Sequence, residues 1–251
     1  PKLKHDYKVG IEFEIEGLTL SVPELAGISE ISKYYRVVED SSLRNIRGYW
    51  PAEFVFRAPM FGKDIVDAVD IYRKYTEDKH SFSERTSLHV HLDVVDMEYS
   101  QILRMVCLDL LLEPIFYEVG GKDRQYNPYC PPLEGIPGYL KRIARVLSQD
   151  GDNLRSYSSI SSSGFKYTAL NLNPIATQGS VEFRHHEGTV DKKRVLNWLN
   201  AIMNLKHLSM QTNTKITIEE IDSLVSNFKL LVKDVFGHMF SDSKVSKLSR
   251  E

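Results

Sequence analysis

From Lys8 to Gly17 the chain alternates, with Ile11, Phe13 and Ile15 set between Glu12, Glu14 and Glu16. A period of two predicts a β-strand with one apolar and one acidic face. The pattern returns in SLHVHLDVV (87–95), where Leu88, Val90 and Leu92 oppose His89, His91 and Asp93. It returns again in SVEFRHHE (180–187), where Val181 and Phe183 oppose Glu182, Arg184 and His186. EFVFR (53–57) puts Glu53 and Arg57 on either side of Val55, opposite Phe54 and Phe56. YYRVVED (34–40) and YTALNLN (167–173) read as further strands from their β-branched and aromatic content.

Elsewhere the apolar period lengthens to that of a helix. Ile65, Val69 and Tyr72 predict a helix over 64–75, and Leu103, Val106, Leu110 and Leu111 a long one over 98–118, kinked near Pro114. A short helix is expected at 139–148 and a longer one from Asp191 to about Met210. Thr217 with Glu220 makes a capping-box pattern before a final helix bearing Ile221, Leu224, Val225 and Phe228. The segment around Pro23 and the Pro- and Gly-rich stretch 122–138 read as loops. Serine density at 152–164 predicts a mobile loop, with 156–163 a candidate lid, and the terminal SDSKVSKLSRE is expected to fray.

Strands and helices mix without strict β-α-β alternation, and no repeat or linker divides the chain. One α+β domain over 1–251 is therefore expected, an antiparallel sheet with helices against its apolar face. The four two-faced strands would then gather their ionisable side chains on the other side. A net charge of -2 argues against a dedicated nucleic-acid coat, leaving room for local basic patches. Cys107 and Cys130 lack the spacing of a disulfide scaffold or zinc knuckle. No apolar run approaches a membrane span and PKLKHDYK has no secretory h-region, so a cytoplasmic protein is expected.

Carboxylates two residues apart on a strand lie roughly 7 Å from each other and repel by about 2 kcal/mol at an effective dielectric near 20. Solvent on a wet strand face relieves that repulsion; so does a divalent cation. Carboxylates with an imidazole bind such ions, and ions with an arginine can neutralise a triphosphate and its transferring phosphoryl group. Other positions read more plainly. Glu16 is expected to be a solvated strand end, His185 a core histidine pointing away from the acidic face, and Trp198 and Met203 core residues.

Seven short motifs follow in order: G-x-E-x-E (Gly10, Glu12, Glu14), D-S-S-L (40–43), E-F-V-x-x-x-P (53–59), L-H-V-H (88–91), R-Q-Y-N-P-Y-C-P-P (124–132), Y-T-A-L-N-L (167–172) and V-E-F-R-x-x-E-G-T-V-D (181–191). Together they resemble the amidoligases, in the fold class of glutamine synthetase and glutamate–cysteine ligase. The resemblance covers about 8–210 and leaves out the C-terminal helix and tail, 211–251. It implies a curved antiparallel sheet, ATP, two or three Mg2+ ions (Mn2+ as substitute), and a carboxylate activated as an acyl phosphate before an amine attacks it. It also implies roles. Glu12, with His89 and Glu182, would ligate the metal beside the ATP phosphates, and Glu14 and Glu53 the metal nearer the substrates. His91 would contact phosphate, Arg184 would steady the transferring phosphoryl, and Arg124 would contact nucleotide or substrate. Arg184 and Glu53 are thus the candidate catalytic residues. Arg57 departs from the pattern, which has a small residue there, so substrate preference is not inherited.

The expected partners are a small-molecule or peptide carboxylate and an amine, with no nucleic acid or membrane and with oligomeric state open. Three other readings are separable. A phosphotransferase of the guanidino-kinase type would accumulate a stable phosphorylated product, a metal hydrolase using His89, His91 and Asp93 would need no ATP, and a binding module would turn nothing over. The hydrolase reading rests on H-x-H-x-D, but Val94 stands where the metallo-β-lactamase pattern has another His.

Overall fold

The computed structural model describes residues 1–78, 80–148, 166–237, 239–240 and 247. The serine-rich stretch and nearly all of the terminal SDSKVSKLSRE lie outside the described residues. Six strands, β1 (Val9–Leu18), β2 (Tyr35–Val38), β3 (Trp50–Phe56), β4 (Ser87–Asp93), β5 (Leu170–Asn171) and β6 (Ser180–Glu187), form one antiparallel sheet in the order β2-β3-β1-β4-β6-β5. This is the mixed architecture the alternation predicts. Helices α3 (Gly62–Thr76), α4 (Tyr99–Gly120) and α7 (Lys192–Ser209) cover its apolar face. Phe13 of β1 stacks on Tyr72 of α3 with ring centroids 4.0 Å apart, and Phe116 of α4 lies between Phe183 of β6 and Trp198 of α7. Trp198 and Met203 are fully buried.

Several elements differ from the sequence expectation. The loop around Pro23 is two short helices, α1 (Val22–Ala26) and α2 (Ser29–Tyr34). Ser21 and Glu24 form a capping box on α1, where Pro23 in the first turn removes only an amide that would lack a partner anyway. β3 begins earlier, at Trp50, and stops before Arg57. Helix α4 is the long helix expected over 98–118, continuous through Pro114. The stretch 122–138 contains two 3-10 turns, Lys122–Tyr126 and Leu133–Gly135, followed by α5 (Tyr139–Ser148). Of YTALNLN, only Leu170 and Asn171 join the sheet before a short helix, α6 (Ile175–Gln178). The final helix is two, α8 (Ile218–Ser226) and α9 (Phe228–Phe236), so Phe228 opens the second instead of ending the first.

Polar ties hold the helices in place. Lys206 of α7, only 2% exposed, donates to the Asp93 carbonyl at 2.7 Å and to Asp96 Oδ1 at 2.5 Å. Buried Arg104 of α4 pairs with Glu220 of α8. Asp191 caps α7 by accepting from the amides of Lys193 and Arg194 at 2.7 and 3.2 Å. Asp191→Ala should cost about 1 kcal/mol, read as a lower urea midpoint with an unchanged slope. An unmoved midpoint would show that the cap contributes nothing. Among the described residues no helix is long and apolar enough to cross a membrane.

Candidate active site

Residues opposed across an antiparallel ladder send their side chains to the same face. Glu53 opposes Glu14 across β3 and β1, Glu12 opposes His89 across β1 and β4, and His91 opposes Glu182 across β4 and β6. The acidic face of one strand is thereby continued by its neighbours. His89 Nδ1 lies 3.3 Å from Glu12 Oε2 and 3.5 Å from Glu182 Oε1, and His91 Nε2 lies 3.3 Å from Glu12 Oε1. Ligand atoms of Glu12, His91 and Glu182 fall within 4.8 Å of one another. That compact set has His91 where the resemblance implies His89, though both imidazoles bracket Glu12.

The surroundings fix these groups. Ser87 donates its hydroxyl to Glu14 and therefore receives the proton on His89 Nε2, 2.6 Å away. His89 Nδ1 is left aimed at the carboxylates of Glu12 and Glu182. Asn171 of β5 donates to Glu182 Oε2 at 2.6 Å, while Arg184 Nη1 binds Glu182 Oε1 at 2.5 Å and its Nε donates to the Tyr129 carbonyl at 3.3 Å.

The charge balance shows in the acidities. Burial works against ionisation of Glu12, yet hydrogen bonds and positive charge from His89 and His91 outweigh it and hold the carboxyl well below the usual range. Glu182 is likewise lowered, despite burial, by His89, Arg184 and His91. His91 is raised because Glu12 and Glu182 outweigh its burial. Glu53 goes the other way. Burial and then repulsion from Glu12, Glu14 and Asp40 push it up to about 8. A carboxylate set this crowded takes up a proton unless a cation replaces it.

Two cavities flank Glu12 along the strands. One, of about 300 Å³, runs past Glu14, His89 and Ser87 and is ringed by Arg85, Arg124, Lys166 and Arg184. The other, of about 260 Å³, lies beside His91 and carries Arg36, Arg57 and Asp93. Larger clefts elsewhere contain none of Glu12, Glu14, Glu53, His89 or Glu182.

Not every polar residue of the four strands reaches this face. A register shift in β6 between the pairs Leu88–His186 and Val90–Phe183 inserts a bulge. The bulge turns both His185 and His186 toward the helices, where each ring packs against Trp198. His186 is therefore not beside Glu182 and Arg184 as the alternation predicts. Glu16 is not a solvated strand end either: it is 1% exposed and accepts from the Arg44 amide at 2.7 Å and Ser83 Oγ at 3.1 Å, pinning two loops. Asp93 caps its own turn by accepting from the Val95 amide and is not in the compact donor set. Arg124 is buried with its guanidinium on the carbonyls of Arg184 and Glu84, so it braces the backbone that presents Arg184. Ser87 and Asn171 escaped the sequence reading, although each stands two residues from a residue on the same face of its strand.

Comparison with curated proteins finds no match. A family model described as putative amidoligase enzyme matches residues 5–205, most of the chain, and the protein belongs to that family.

Proposed function

We propose that the chain is an ATP-dependent carboxylate–amine ligase built on a glutamine synthetase-like sheet. The observation that carries this reading is the meeting of Glu12, His91 and Glu182 from three strands within 4.8 Å, with Arg184 paired to the same group. The donor set suits magnesium: oxygen-rich, flanked by imidazoles, and so short of positive charge that Glu53 holds a proton near neutral pH. Glu12 and Glu182, with His89 and His91 on either side, would hold one ion, and Glu14 with Glu53 another. Bound there, magnesium would offset the charge of the triphosphate.

The chain's own residues account for the rest. Arg184, steadied by Glu182 and the Tyr129 carbonyl, faces the 300 Å³ cavity and offsets charge on the phosphoryl oxygens as they move between reactants. His91, whose basicity Glu12 and Glu182 raise despite its burial, would lie beside the phosphate end of the nucleotide. A carboxylate oxygen attacks the γ-phosphorus and ADP leaves. An amine then attacks the acyl carbon, phosphate departs and a proton is lost. Activation is needed because a carboxylate is a poor electrophile in water. The cationic rims of both cavities suit anionic reactants arriving on either side of Glu12.

A screen of amino acids, peptides and amines should find ADP release that requires a carboxylate and an amine together, with an amide detected by mass spectrometry. Accumulation of a phosphorylated product without amide would favour the phosphotransferase, and cleavage without nucleotide would favour the hydrolase. The brace on Glu182 gives a second expectation. Asn171→Ala should weaken Mn2+ binding about tenfold by calorimetry, the usual effect of removing a group that orients a ligand. Unchanged affinity would detach Asn171 from the site.

A further inference from the structure

Behind the acidic face, among the helices, lies a second cluster of ligand-type side chains. Asp109 and Glu113, one turn apart on α4, face His185 on the β6 bulge, with ligand atoms within 4.8 Å of one another and His185 Nε2 3.9 Å from Asp109 Oδ1. Asp109 and His185 are fully buried, and Glu113 is 3% exposed. Neither oxygen of Asp109 and neither nitrogen of His185 has a hydrogen-bond partner. Buried polar atoms are ordinarily satisfied, and four orphans on two touching residues call for a ligand.

We propose that Asp109, Glu113 and His185 bind a divalent transition-metal ion of the zinc class, a structural site on the opposite side of the sheet from the candidate active site. Two carboxylates, one neutral imidazole and a dication sum to zero charge, the form in which a charged group can be buried without a further counterion. Burial already keeps the imidazole in its ligating neutral state, with the His185 pKa lowered to about 3. It also pushes the Asp109 carboxyl well above the usual carboxylate range, with repulsion from Glu113 adding to the effect, so that a bare carboxylate there favours a cation partner. Metal–ligand bonds of about 2.0–2.2 Å require these donors to close in by only about 1 Å. Glu113 is oriented for the task, since its Oε1 accepts from the Leu133 amide at 2.7 Å. The nearby cation, Arg124, is engaged with the carbonyls of Arg184 and Glu84. The ion would clamp α4 to the bulge that aims Arg184. Its entry would accompany folding, because no donor is exposed.

The test uses the full chain carrying Glu12→Gln and Glu182→Gln, which disables the front set, refolded with Zn2+ and dialysed against metal-free buffer. About one zinc per chain should remain, and the protein should melt higher than the same chain refolded without metal. Anomalous diffraction at the zinc edge should place the ion between Asp109, Glu113 and His185. Adding His185→Gln should remove the metal. If that variant fails to fold, the anomalous map of the parent still decides. No peak among the three residues, or zinc retention unchanged by a folded His185→Gln, would overturn the assignment and leave a proton shared between Asp109 and His185.

Discussion

Arg184→Ala should lower ligase turnover at least a hundredfold while the protein keeps its melting temperature and its affinity for Mn2+ within several-fold. Removing one preorganised group aimed at developing charge typically costs about 3 kcal/mol in the transition state, and the proposed function gives Arg184 that role. Its guanidinium is largely buried, bound on one edge to Glu182 and on another to the Tyr129 carbonyl, and the bulge behind it sets its direction. The alanine variant removes charge without opening the core, because the Arg184 side chain lies over a cavity. Arg184→Lys should restore little, since a point charge on a flexible stem does not reproduce the planar fork. A folded Arg184→Ala protein with wild-type turnover would remove Arg184 from the chemistry.

Trp198→Ala should destabilise the fold by about 3–5 kcal/mol, a large share of the roughly 5–15 kcal/mol that holds a typical domain together. The indole is fully buried and meets Phe116 edge-on at 5.5 Å, with the rings of His185 and His186 at 5.9 and 5.3 Å. Truncation leaves a cavity directly under the β6 bulge. Gly120 of α4 lies so close to that bulge that a Cβ there would come within 2.7 Å of the His185 carbonyl, which leaves little room for collapse. Urea unfolding measures the loss. A change below about 1 kcal/mol would contradict the packing described for this side of the sheet.

Much of the sheet was legible because the code for a half-buried strand is local: alternate residues declare which face is which. Glu12, Glu14, Glu53, His89, His91 and Glu182 sit on the polar face that their spacing indicates, and register then brings them within reach of one another. The failures come from features that alternation does not encode. One extra residue in β6 sends His186 to the core, and a bulge leaves no mark in a hydrophobic pattern. Glu16 looks like its neighbours in sequence but meets the loops carrying Arg44 and Ser83, contacts far apart in the chain. Helices α1 and α2 are too short to display a period, and β5 pairs through only two residues. Ser87 and Asn171 are neutral and common, so nothing in their type distinguishes a brace for His89 or Glu182 from any polar strand residue.

Chemistry on the acidic face is tested most directly by following oxygen. With a carboxylate substrate carrying 18O in both oxygens, passage through an acyl phosphate transfers one labelled oxygen to each phosphate released and leaves the other in the amide. Mass spectrometry of phosphate and product from a single incubation reads both. Label in the phosphate at one atom per turnover is the expected result; unlabelled phosphate formed alongside amide would contradict activation of the carboxylate by ATP.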